Sequence, residues 1–199
     1  MVKPHSRPTR IAIFASGGGS NAKLLLERFQ GHDAAEVVLL VTNNPQSGVW
    51  AFGPDFGVPV QGLEGRQYQE GSYLLDLLQT YQIDLIVLAG YLKLVPEAVV
   101  KAYPRRILNI HPALLPSYGG KGMYGMNVHR AVIAHQEPQS GITIHYVNEV
   151  YDQGEILFQA SVAIEADWSP EDLQRAVQQL EHQHFFSIVE KVARDLQPT

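Results

Sequence analysis

The run Ile107-Leu108-Asn109-Ile110-His111-Pro112-Ala113-Leu114-Leu115-Pro116 begins as a β-strand and is stopped by a proline. Side chains alternate along an extended chain, so Ile107, Asn109 and His111 share one face while Leu108 and Ile110 share the other. Pro112 cannot donate to a sheet ladder, so pairing ends there and leaves an amide and an imidazole side by side at a strand's carboxyl end. In an α/β sheet that is the edge where ligands bind. A strand end that is polar for structural reasons alone would look the same, so the flanking sequence has to discriminate.

Upstream lie two more uninterrupted apolar runs, Arg10–Ala15 (RIAIFA) and Asp84–Ala89 (DLIVLA), of the kind found in strands buried on both faces. Val37–Thr42 reads as another strand, closed by Asn43-Asn44-Pro45, and Gly57-Val58-Pro59-Val60 as a short further one. Between them, residues 22–29, 68–81 and 96–103 have helical character, the second with Tyr73, Leu74, Leu77 and Leu78 on one side. Downstream come a glycine-rich loop over residues 117–125, a helix over 126–134, and two β-like runs at 141–147 and 155–163. The short link between those runs predicts an antiparallel pair. Ser169-Pro170-Glu171-Asp172 starts a last helix, with serine as cap and proline in the first turn. It should reach about Leu196 and bury Leu173, Ala176, Val177, Leu180, Phe185, Ile188 and Val189. The predicted fold is therefore α/β: a Rossmann-like, mostly parallel sheet flanked by helices, with an antiparallel C-terminal strand pair and a long C-terminal helix. No repeat or interdomain linker interrupts it, so one domain is expected over residues 1–199, with a loose leader at 1–9.

Composition narrows the function. With 199 residues, 45% of them hydrophobic, the chain can bury a substantial core. A net charge of −5 gives no basic field for nucleic acid or an anionic membrane. No apolar run approaches the ~20 residues of a membrane-spanning helix, and the basic N-terminus lacks a signal peptide's apolar core. The absence of cysteine excludes disulfides, thiol nucleophiles and thiolate metal sites. A soluble, cytoplasmic protein acting on small molecules is the default expectation.

Gly17-Gly18-Gly19-Ser20-Asn21-Ala22 follows the first strand and formally fits a dinucleotide fingerprint. The acidic residue that should close the second strand is missing, because Thr42-Asn43-Asn44 stands there. What remains is a glycine turn before a helix, whose free N–H groups suit one phosphate, or which serves only close strand–helix packing. Asp152, in Tyr151-Asp152-Gln153-Gly154, is a candidate carboxylate, although Asp-x-Gly turns are common. His145 reads as a core or rim hydrogen-bonder. Glu181 and His184 share a helix face, but a bundle di-metal site needs a second such pair, and His182 and His184 do not face together. No metal site is expected.

The blocks Ser16-Gly-Gly-Gly-Ser-Asn21, Leu88-Ala-Gly-Tyr-Leu92, Asn109-Ile-His-Pro-Ala-Leu-Leu-Pro116, Ser140-Gly-Ile-Thr-Ile-His145, Asp152-Gln-Gly154 and Leu180-Glu-His182 occur in the order found in the phosphoribosylglycinamide formyltransferase family, which the chain resembles over residues 10 to about 190. The resemblance implies formyl transfer from 10-formyltetrahydrofolate, as co-substrate, to the amine of glycinamide ribonucleotide, with no metal. It implies Asn109, His111 and Asp152 as the catalytic trio. Gly19, Ser20 and Asn21 would hold the acceptor's phosphate and Glu181 its ribose. Leu92, Lys93, Leu94, Val95 and Asn109 would contact the folate, as would Arg66, where the match is looser. Three departures stand out: Lys93 where arginine is frequent, a longer loop over 118–124, and Asn127 where many members carry histidine. The implied partners are small molecules, with the chain a monomer or homodimer. Other folate-dependent formyltransferases and formyltetrahydrofolate deformylase share the machinery and stay open as alternatives.

Overall fold

The computed structural model describes residues 7–197. Seven strands form one sheet in the order β3-β2-β1-β4-β5-β6-β7. In chain order the elements are β1 (Thr9–Phe14), α1 (Ser20–Phe29), β2 (Ala35–Thr42), α2 (Val49–Phe56), β3 (Val60–Gly62), α3 (Gly71–Thr80) and β4 (Leu85–Leu88). There follow α4 (Glu97–Ala102), β5 (Ile107–His111), α5 (Met126–Ala134), β6 (Gln139–Tyr146), β7 (Ile156–Ala163) and α6 (Pro170–Asp195). Strands β1 to β5 pair in parallel. β6 pairs antiparallel with both β5 and β7, so β6 runs against the rest of the sheet beside Asn109 and His111.

Helices cover both faces. Phe29 of α1, Val128 of α5 and Phe185 of α6 pack on one side with Leu108 and Ile110. Leu74 of α3 and Val99 of α4 pack on the other with Ile107, so the alternation read from β5 holds in the structure. Along α6, Leu173, Val177, Phe185 and Val189 are buried, while Ala176, Leu180 and Ile188 are partly covered. Each fully buried large apolar side chain contributes roughly 1.5–3 kcal/mol. A capping box closes the start of α6: Ser169 Oγ accepts from Asp172 N, and the Asp172 carboxylate accepts from Ser169 N.

Strand order turns back at β1 and β4, the kind of switch point where doubly wound sheets open a crevice at their carboxyl ends. The glycine turn after β1 and the Gly90 turn after β4 emerge there together, tied by Ser16 N donating to Gly90 O at 3.0 Å.

Three boundaries differ from the sequence reading. Met1–Ser6 of the expected leader lie outside the described residues, whereas Thr9 already belongs to β1 and Arg7 pairs with Asp84 at 2.5 Å. A short helix, α2, occupies Val49–Phe56, where the sequence reading assigned no element, because Gly53 and Pro54 inside it are poor helix formers. Gly53 serves packing: a Cβ there would lie 2.4 Å from Val60 Cγ2 and 2.9 Å from Val58 O. Consequently Gly57 is a left-handed helix cap (φ 67°), and the third strand, expected over 57–60, starts only at its last residue and runs Val60–Gly62.

Candidate active site

Two strands and one turn build the polar centre. β5 carries Asn109 and His111, and the antiparallel register sets His145 of β6 directly opposite Asn109. His145 Nδ1 lies 2.8 Å from Tyr146 O. A carbonyl only accepts, so Nδ1 carries the proton and Nε2 is left to accept from Asn109 Nδ2 at 3.0 Å. The asparagine amide is thereby turned so that its second N–H faces Asp152 Oδ1 at 3.4 Å. Asp152 sits in the β6–β7 turn with φ 55°. Gly154 lets that turn close, since a Cβ there would lie 1.6 Å from Tyr146 O. Asp152 Oδ2 accepts from Gly120 N at 2.8 Å and lies 3.6 Å from His111 Nδ1.

The same reasoning sets the tautomer of His111. Its Nε2 lies 2.8 Å from Tyr118 O and must donate, which leaves Nδ1 bare toward Asp152. Burial pushes the His111 imidazole below its ordinary value, against the opposing pull of Asp152 and the Tyr118 carbonyl. Burial also raises the Asp152 carboxyl, but its polar neighbours, the Gly120 N–H among them, outweigh it and hold the group below the usual carboxylate range. The resting pair is therefore a neutral imidazole facing an ionised carboxylate. Any proton added to the ring lands on Nδ1 and is shared with Asp152. The imidazolium suggested by Asp152 alone is thus not the resting form, because desolvation of the ring is the larger effect.

At the other end, α1 starts at Ser20 behind Gly19, which is left-handed (φ 79°), and no side chain caps it. Its first N–H groups are free for a ligand. A Cβ on Gly19 would lie 2.9 Å from Phe52 Cε2, so glycine is needed for both conformation and space. Asn21 Nδ2 donates to Glu181 Oε2 at 2.9 Å, while the buried Asn21 Oδ1 has no partner. Burial raises the Glu181 carboxyl, partly offset by Asn21. Gln178, one turn earlier on α6, donates to Ser20 Oγ at 3.1 Å.

One cleft of about 670 Å³ joins these parts. Gly19, Ser20, Asn21 and Glu181 line it together with Asn109, His111 and Asp152, and so do Leu92, Lys93, Leu94 and Val95. Arg66 does not line it; it stands exposed in the turn before α3. Lys93 extends over the Tyr68 ring at 5.0 Å. Asn127 closes the long loop by donating to Gly122 O at 3.2 Å. Leu92, Leu94, Tyr124 and Val150 stay 41–51% exposed at the cleft. That apolar lip suits a flat aromatic ligand. His145, Gln178 and Lys121 also line the cleft and were not singled out from sequence as ligand contacts. For His145 the signal was its place on an alternating strand, but its partner depends on register with a strand over thirty residues away.

An apolar lip, a polar centre and an uncapped helix start share one crevice, the layout of a small-molecule site. A sequence model described as formyl transferase matches residues 9–189, and the chain belongs to that family. A chloroplastic phosphoribosylglycinamide formyltransferase from Arabidopsis thaliana is 44% identical over 95% of this chain and 67% of its own length. The enzyme of that name from Bacillus subtilis (strain 168) is 31% identical over 92% and 94%. Among solved structures, phosphoribosylglycinamide formyltransferase from Bacillus halodurans superposes with a TM-score of 0.82 at 35% identity, covering 92% of this chain and 95% of that one.

Proposed function

We propose that this enzyme transfers the formyl group of 10-formyltetrahydrofolate to the primary amine of glycinamide ribonucleotide, a step of purine biosynthesis. The observation that carries the reading is that the Asn109–His111–Asp152 cluster shares one cleft with an uncapped helix start and an apolar lip. Two relatives of 44% and 31% identity bear the corresponding name.

In this reading the N–H groups of Gly19, Ser20 and Asn21 take the acceptor's phosphate, and Glu181 accepts from its ribose hydroxyls. The α1 field adds about 0.3–1 kcal/mol for the anion. Leu92, Lys93, Leu94 and Val95 seat the folate. Arg66, outside the cleft, could reach only the folate's distal end. The neutral amine attacks the formyl carbon: a C–N bond forms, and the carbonyl electron pair moves to oxygen. The Asn109 Nδ2–H that rests 3.4 Å from Asp152 turns to donate to that oxygen, and one such donor is worth ~10²–10³ in rate. The growing negative charge favours a proton on His111 Nδ1, where Asp152 steadies it. That proton comes from the attacking amine; as the tetrahedral species collapses and the carbonyl re-forms, the bond to the folate nitrogen breaks and that nitrogen takes the proton from His111, which returns the ring to its neutral resting state. A single domain carries both subsites, and a cytoplasmic location fits small soluble substrates. Among the described residues no helix is long and apolar enough to cross a membrane.

The test is an acceptor screen following folate absorbance with glycinamide ribonucleotide, charged initiator tRNA, amino-sugar nucleotides and water. Turnover confined to glycinamide ribonucleotide, lost in His111→Ala, is the expected result. Preferential hydrolysis would instead mark a deformylase.

A further inference from the structure

Tyr118 opens the long loop with φ 57°, a conformation that bulky L-residues rarely adopt. Such backbone persists where its surroundings impose it. Its carbonyl accepts from His111 Nε2 at 2.8 Å. Its phenol lies 2.7 Å from Glu137 Oε1 and 2.9 Å from His135 Nδ1, where α5 ends and the chain turns into β6. A hydroxyl has one proton, and the carboxylate takes it; at His135 the phenol oxygen therefore accepts and Nδ1 carries the N–H. Burial and Glu137 push the Tyr118 phenol up to about 12, so it remains a donor throughout the working range. Two residues on, Gly120 N donates to Asp152 Oδ2 at 2.8 Å. One short segment thus touches both halves of the proton-carrying pair, with its carbonyl on the imidazole and its amide on the carboxylate.

We propose that Tyr118 is a positioning residue whose phenol, clamped by Glu137 and His135, holds its own carbonyl against His111 and so keeps the ring in the Nε2–H tautomer with Nδ1 turned to Asp152. The clamp's atoms do not line the substrate cleft, and it acts only through His111. Without it, the left-handed backbone at residue 118 is free to relax. The carbonyl then drifts from Nε2, and the ring samples rotations and the other tautomer. The kinetic consequence rests on the formyl-transfer reading; the tautomer consequence does not.

Tyr118→Phe keeps ring and backbone and removes only the hydroxyl. Misplacement of a catalytic group can cost up to ~10²-fold, so we expect turnover with glycinamide ribonucleotide to fall about tenfold while both KM values stay within about threefold. The acid limb of the kcat–pH profile should move as well. Glu137→Ala should reproduce the loss and add little to Tyr118→Phe. Glu137→Gln, which keeps an acceptor oxygen, should restore most of the rate. Nitrogen-15 shifts of His111 give an activity-independent reading: a protonated Nε2 in the unmodified protein and mixed tautomers in Tyr118→Phe. Unchanged kcat, pH profile and His111 shifts in that variant overturn the clamp. A tautomer change in a protein that formylates nothing upholds the clamp and sinks the formyl-transfer reading instead.

Discussion

At the scale of single residues the site divides its labour by charge. Asn109 is a neutral donor whose orientation is set by His145, and Asp152 is a carboxylate kept ionised by its neighbours. Asn109→Asp changes one atom type and barely alters volume, yet it replaces the donor with an acceptor 3.4 Å from an existing carboxylate. Two carboxylates that close cannot both ionise freely, so one pKa must rise. We expect turnover near neutral pH to drop by ~10²–10³, the usual cost of one oxyanion donor. Activity should partly recover on acidification, as the new carboxyl gains a proton that it can donate. The pH–rate profile of the purified variant checks this. A rate within tenfold of the parent at pH 7 would remove Asn109 from the mechanism.

Among the elements, α2 has an effect out of proportion to its length. Gly48, at its start, donates to Gly17 O at 3.0 Å, and a Cβ there would lie 2.1 Å from Gly18 O. The helix is therefore pressed against the turn proposed to hold phosphate. Gly48→Ala must push that turn or α2 aside, so KM for glycinamide ribonucleotide should rise roughly tenfold or more (a loss of about 1.4 kcal/mol in binding) while KM for the folate stays close to the parent value. Steady-state kinetics with each substrate varied in turn distinguish this from general damage. The contact also marks the limit of what one-dimensional pattern reveals. β1 and β4 are legible because a buried parallel strand is an unbroken apolar run, β5 because Pro112 ends it, and α6 because Ser169-Pro170 announces its start. α2 is not, since Gly53 and Pro54 argue locally against a helix that tertiary packing nevertheless enforces. Asn109 and His111 share a face by alternation alone, whereas the bonds that fix them come from Tyr118, His145 and Asp152, on segments that only the fold brings together.

Across the whole molecule, buried titratable groups pull stability in opposite directions with pH. His129, 3% exposed on α5 and lining the cleft, has a buried Nδ1 without a partner. Burial, with the nearby His111 second, lowers its imidazole to about 4. A base whose folded pKa is depressed binds fewer protons folded than unfolded, so its contribution is complete above the unfolded value near 6.5 and drains away as pH falls toward 4. Over that window the loss approaches about 3 kcal/mol for His129, and His111 adds to it in the same direction. Asp152, held low, loses its share only below the ordinary carboxylate value. Glu181 has the opposite sign: its folded pKa is raised, so the fold gains from protonating it as pH drops past that value. The His129 loss runs through this range, so denaturant midpoints should fall between pH 7 and pH 5. His129→Leu removes the titration and an unpaired buried nitrogen together, so it should be neutral or stabilising at pH 7 and should flatten the acid slope. Urea midpoints at pH 7, 6 and 5 for both proteins decide the matter: parallel curves would mean that acid sensitivity arises elsewhere.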